Sequence, residues 1–242
     1  MLATPLTALE GLHAELRRNK WIRYFAIFCR IVLALGFIPS GLVKVRGERF
    51  TALPSNHPLG HYFDALFLTS YYYTFIGVGQ LLAALLLLIP RTALLGAIVY
   101  FPIIVNITVL TYATRFEGTR VATLMLLANL FLLAWDYQRL KHILPLGRPA
   151  KNDPAAETNK FPVLFFAFVF LTAVSVVVIN AFLYDMRPGN SEIECTNGCK
   201  YSDNPTACQH FCECIFEQGN LLNVCLNKYD SEKDTTAGGQ AK

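Results

Sequence analysis

The residues able to do chemistry fall into two groups, and the first is a set of cysteines. Six of the seven cysteines lie in one polar stretch, ECTNGCKYSDNPTACQHFCECIFEQGNLLNVC. Cys195 and Cys199 form one C-x3-C and Cys208 and Cys212 a second, with Asp203-Asn204-Pro205 to turn the chain between them. On two antiparallel helices, cysteines four apart face the same side. Pairing Cys195 with Cys212 and Cys199 with Cys208 would then staple a hairpin and leave Cys214 for Cys225. That is the geometrically simplest of the fifteen connectivities open to six cysteines. Three chemistries compete for them. They can be structural staples for a segment with little core. They can be a redox-active pair, against which the absence of C-x-x-C counts. They can bind a metal or cluster through Cys212, Cys214 and His210. The staple reading is favoured and no metal is expected. Cys29, alone in an apolar run, reads as an inert buried thiol.

The second group is polar residues inside apolar runs, where an unpaired charge costs several kcal/mol. Arg30 either snorkels to an interface or pairs with Asp136, which falls at a similar depth. Gln80, Asn106 and Asn129 fall near the middle of three runs. They can bond helix to helix, or line a cavity and hold the head of a carbonyl ligand such as a quinone. Lys44, Arg46, Arg49, Arg115 and Arg120 cluster at run ends, with only Glu48 and Glu117 to balance them. If those ends are neighbours, the five cations surround one mouth that attracts a small anion; contact with lipid headgroups explains them as well. His57 and His61 have a metal-compatible spacing, but Pro58 lies between them and no third ligand is fixed. No serine, cysteine or carboxylate constellation suggests nucleophilic hydrolysis, and no basic, aromatic-interleaved surface suggests nucleic acid.

The elements that must position these groups follow from composition. The chain has 242 residues, 54% of them apolar and 16% charged, and its mean hydropathy is +0.39. Long apolar blocks in such a chain define an all-α polytopic membrane protein. Its centre is the stretch from Tyr100 to Lys141, two apolar runs joined at RFEGTR, where Gly118 is available for the turn. Five crossing segments are expected. Four form a bundle over residues 21–142: about 21–45, kinked at Pro39; about 71–89, opening on the aromatic belt Tyr71-Tyr72-Tyr73; about 93–114, with Pro102 inside; and about 119–137. The fifth covers 161–184. Residues 1–20 are expected as an amphipathic surface segment with Leu6, Leu9, Leu12 and Leu16 on one side. They lack an apolar h-region, so the first crossing helix acts as an uncleaved anchor. Residues 47–69 and 143–160 read as polar connections, and 185–242 as a small disulfide-rich tail.

Orientation follows the Lys and Arg residues near the segment ends. With the N-terminus inside, eleven fall inside and seven outside, not counting those far down the tail. Five crossings then put the tail outside, in the oxidising compartment that six cysteines also imply. The expected location is a bacterial inner membrane, with a cytoplasmic N-terminus and a periplasmic tail.

Residues 24–142 resemble DoxX-like membrane proteins. The likeness rests on Arg30 to Lys44 (RIVLALGFIPSGLVK), with its Arg, Ser-Gly and Lys, and on Gly77 to Arg91 (GVGQLLAALLLLIPR). The hairpin with Pro102, Asn106 and Trp135-Asp136-Tyr137 adds to it. One departure stands out: Gln80 and Ala83-Ala84 occupy the region where that family often has a Glu followed by Gly-Gly. The resemblance implies a four-helix bundle, and Arg30, Lys44, Gln80 and Asn106 as positions to test. Some members are subunits of a thiosulfate:quinone oxidoreductase. It therefore implies a quinone- or sulfur-linked redox component or subunit, with quinone as the cofactor to consider. The alternative expectation is a non-catalytic membrane subunit whose stapled tail docks a periplasmic or membrane protein. The segment 161–184 and the tail fall outside the resemblance, and they fit that alternative better.

Overall fold

The structure, a computed structural model, describes residues 13, 15–143 and 158–239. Most of the surface segment expected over residues 1–20, and residues 144–157 of the second connection, lie outside them. The described residues are all-helical, with ten named helices: α1 (Lys20–Val45), α2 (Pro58–Leu68), α3 (Tyr71–Leu88), α4 (Ala93–Ala113), α5 (Thr119–Trp135), α6 (Tyr137–Ile143), α7 (Val163–Phe182), α8 (Glu192–Cys199), α9 (Pro205–Phe216) and α10 (Leu222–Gly239). Four of them, α1, α3, α4 and α7, are long and apolar enough to cross a membrane. The expected crossing at 119–137 is a shorter apolar helix: α5 has 17 residues and stops before Asp136. At 1.5 Å per residue it covers about 25 Å, short of the roughly 30 Å of a hydrocarbon core.

The chain divides into two compact units. The first draws on Met1–Gly41, Val78–Val105 and Thr123–Val177. Its core is built on α1. Phe37 stacks on Tyr100 of α4 with ring centroids 3.6 Å apart, and the Tyr100 hydroxyl donates to the Leu33 carbonyl at 3.4 Å. Phe25 meets Phe131 of α5 and Phe165 and Phe166 of α7 edge-on. Gly96 lets α4 pass the end of α3: a Cβ there would lie 2.6 Å from the Leu87 nitrogen. Elsewhere α7 is nearly bare; Leu164 is 86% exposed and, over the whole helix, Asn180 alone is buried. An apolar helix with so little protein cover has lipid as its natural surroundings.

The second unit draws on Leu42–Gly77, Asn106–Ala122 and Val178–Lys242. Here α1 ends in a Schellman motif: Gly47, at φ 72°, donates to Lys44 O, and Glu48 N donates to Val43 O. The connection expected over 47–69 contains a helix, α2, started by Pro58 in its first turn and by His57 as N-cap. The tip between α4 and α5 uses Arg115, at φ 54°, and a second turn through Gly118, closed where Thr119 N donates to Phe116 O at 3.2 Å. Gly118 is also small because a Cβ there would meet the Phe116 ring, Cδ1 at 2.9 Å.

The C-terminal module is α8, α9 and α10. Ser191 caps α8 by accepting from Glu194 N, and Asn204 caps α9 by accepting from Ala207 N, with Pro205 next in line. Cysteines dominate its core, together with Ala207, Phe211, Ile215, Leu222, Tyr229 and Met186.

Candidate functional site

Within the first unit, Asp136 occupies the break between α5 and α6. Its carbonyl accepts from Arg139 N and Leu140 N, which starts α6. Its carboxylate is buried and bridges two arginines: Arg30 donates to Oδ2 and Arg17 to Oδ1, each at 3.4 Å. The partnership of Arg30 with Asp136 considered from sequence is therefore present, with Arg17 as a third member that sequence reasoning missed. Burial lowers the pKa of Arg17 from its ordinary value, and Asp136 opposes that shift. The Arg17 guanidinium also lies 5.5 Å from the Trp135 ring centroid. His13 closes the end of α5 by donating from Nε2 to the carbonyls of Ala134 and Trp135, at 3.0 and 3.2 Å.

The mid-run amides separate. Gln80 is buried and accepts from Ser40 Oγ of α1 at 3.2 Å. Asn129 is buried and donates to the Ala97 carbonyl of α4 at 3.2 Å, leaving its Oδ1 unpartnered. Both hold helix to helix. Asn106 is on an exposed face of α4. Cys29 is buried and not bonded to another cysteine.

The five outer cations do not form one ring. Lys44 is buried, its ammonium 4.0 Å from the Phe50 ring centroid and 5.9 Å from that of Tyr73. Arg46 is exposed past the end of α1. Arg49 pairs with Asp64 at 2.8 Å and also donates to the Leu53 carbonyl. Arg115 lies 4.7 Å from the Tyr184 ring centroid. Aromatic faces take Lys44 and Arg115, and one carboxylate takes Arg49. Arg120 alone of the five lines a cleft of about 540 Å³, together with Glu117, Arg187, Glu194, Cys195 and Cys208. Its Nε is buried without a hydrogen-bond partner. Burial lowers the Arg187 pKa, and the neighbouring Arg120 charge adds to that.

The six tail cysteines are paired Cys195–Cys212, Cys199–Cys208 and Cys214–Cys225, the simplest connectivity. The sulfurs of Cys199, Cys208 and Cys212 lie within 4.8 Å of one another, but each is in a disulfide and offers no thiolate to a metal. His210 pairs with Glu232 at 2.9 Å. Asn56, which no sequence motif marks, ties the segment before α2 to the module: its Nδ2 donates at 2.7 Å to the carbonyls of Ile215 and Asn220. His57 is buried, accepts from Leu59 N at 3.1 Å, and has its pKa pushed down to about 4 by burial. His61 is exposed.

Fold and site thus define an all-helical protein with four helices suited to a membrane and a disulfide-bonded C-terminal region. The chain belongs to the same family as YwoB of Bacillus subtilis (strain 168), a protein described as uncharacterized. The two are 37% identical over 129 residues, 47% of this chain and 78% of YwoB. No family model matches the chain, and no solved structure matches it.

Proposed function

We propose that this chain is a DoxX-like, non-catalytic membrane subunit whose stapled C-terminal module docks a partner protein on the oxidising side of a bacterial inner membrane. One observation carries this reading. The module spends all six cysteines on three disulfides around a core of its own, yet leaves large apolar side chains outside. Tyr201 is 93% exposed and Ile193 74%, and Leu221 and Val224 are exposed as well. A cross-linked module with uncovered apolar side chains suits protein contact better than solvent. The placement of the tail rests on five crossings. For that, α5 spans with local thinning of the bilayer, and the excess of Lys and Arg on the N-terminal side agrees. Gln80 and Asn129, both used in packing, lend no support to a quinone pocket.

A photo-crosslinker placed in turn at Tyr201, Ile193, Leu221 and Val224 in cells tests the docking role. A discrete protein adduct is expected, with none from the buried Phe211 position. Absence of an adduct from all four exposed positions would refute it.

The cleft favours a second reading, a sulfur-linked redox role. Two guanidiniums, Arg120 and Arg187, and one cysteine from each of two disulfides line it. Reduction of a soluble quinone by thiosulfate or a thiol, catalysed by the purified protein and lost in Arg120→Gln/Arg187→Gln, would favour that reading over docking.

A further inference from the structure

We propose that the cleft at the start of α5 binds a carboxylate group, held in the guanidinium fork of Arg120. Arg120 is the second residue of α5, where the helix dipole disfavours a cation, so its place there does not serve the helix. Its Nε is buried and has no hydrogen-bond partner among the described residues. A buried charged donor without an acceptor is costly, and a ligand that supplies the acceptor relieves it. The cleft, of about 540 Å³, is lined by three cations, Arg120, Arg187 and Lys233, and four carboxylates, Glu117, Asp185, Glu194 and Asp203. Those carboxylates are engaged with other groups. Asp185 pairs with Lys233 at 2.7 Å, and Asp203 favours the same ammonium. Glu117 favours the Arg187 charge, and Glu194 Oε2 accepts from Asn190 N at 2.8 Å. Arg120 is left beside a like charge, that of Arg187.

The lining also selects the ligand. With four carboxylates against three cations, the cleft disfavours a dianion such as phosphate. A carboxylate carries a single charge, and its two oxygens match one guanidinium fork. By itself it is too small to fill the cleft. Phe182, Met186, Tyr201 and Tyr229 also form the wall, and they suit an apolar body attached to the carboxylate.

Two sources can carry such a carboxylate, the chain end of a protein partner and a small organic acid. Tyr201, 93% exposed, lines the cleft, so the cleft opens beside the side chains proposed for docking. The partner's C-terminal carboxylate is therefore the expected source, and on that point the inference rests on the docking reading. It uses the same cleft as the redox reading but needs no electron transfer.

The test uses the full chain purified in detergent. Ligand-observed NMR compares N-acetylphenylalanine, a carboxylate on an apolar body, with its C-terminal amide. A ligand of this size is expected to bind the wild type at about millimolar strength. The amide should bind about tenfold more weakly or worse. Arg120→Gln should lose affinity for the acid by about 10- to 100-fold. Arg46→Gln removes the same charge elsewhere and should bind as the wild type does. In cells, the adduct from a photo-crosslinker at Ile193 should disappear in Arg120→Gln. If that variant loses the acid but keeps the adduct, the site stands with a small organic acid as its source. If the wild type gives no adduct yet holds the acid through Arg120, the docking reading fails and the site again stands. Wild type that binds neither compound, or binds acid and amide alike, would overturn the proposal. So would Arg120→Gln binding the acid unchanged; the comparison of acid with amide on the wild type remains if that variant does not fold.

Discussion

Asp136→Asn should be the most damaging conservative change in the first unit. The carboxylate is 4% exposed, and its partners Arg17 and Arg30 are 32% and 16% exposed. At 3.4 Å and an effective dielectric near 20, each gross attraction is about 5 kcal/mol. Desolvation offsets much of that, and breaking a buried pair typically costs about 3–5 kcal/mol. Both contacts are longer than the roughly 2.7–2.9 Å of a strong charge-assisted bond, and Arg17 is partly wet. A loss of about 2–3 kcal/mol follows for Asp136→Asn. Arg30→Gln alone should cost about 1–2 kcal/mol, and the double variant about the same as Asp136→Asn, because Arg30 is then no longer left unpaired. The assay is equilibrium unfolding in mixed micelles as a double-mutant cycle. A coupling energy of about 1–2 kcal/mol is expected. Coupling within about 0.3 kcal/mol of zero would show that the contact between Arg30 and Asp136 does not hold the helices together, and the reasoning would fail.

Other outcomes follow from the second unit. Replacing Cys214 and Cys225 with Ser opens a bridge across a separation of 11 residues, which should cost about 3 kcal/mol, seen as a lower unfolding midpoint of the module. Asn56→Ala removes two hydrogen bonds to carbonyls and should cost about 1–3 kcal/mol; faster amide exchange at the α9–α10 turn reports it. His57 is held neutral, with its pKa depressed to about 4, so the unfolded chain takes up its proton first as pH falls. Stability is then full above about pH 6.5 and declines toward pH 4 by up to about 3 kcal/mol. His57→Asn, which keeps a capping acceptor, should flatten that decline in a pH series of thermal melts.

Much of this architecture is written plainly in the chain. Apolar blocks mark α1, α3, α4 and α7 because lipid selects for unbroken runs. The twin C-x3-C spacing implies its own pairing because four residues make one helical turn. Faces were harder to read. α4 is apolar all round, so nothing local says that Asn106 points outward while Asn129 of α5 points in. α2 was missed because Pro58 reads as a breaker, although behind a capping residue it starts a helix. The outer cations read as a ring because charge is visible in sequence; Phe50, Tyr73 and Tyr184, which take up Lys44 and Arg115, are not visibly their partners. Arg17 was overlooked because it is distant in sequence from Asp136.

The state of the tail thiols in native membranes tests the central placement most directly. Cells are quenched with a thiol-alkylating reagent, the protein is denatured, and modified cysteines are counted by mass before and after reduction. One alkylated thiol per chain, Cys29, is expected before reduction, and seven after it. Seven before reduction would place the tail in a reducing compartment, and with it would go the stapled module and the outward docking face.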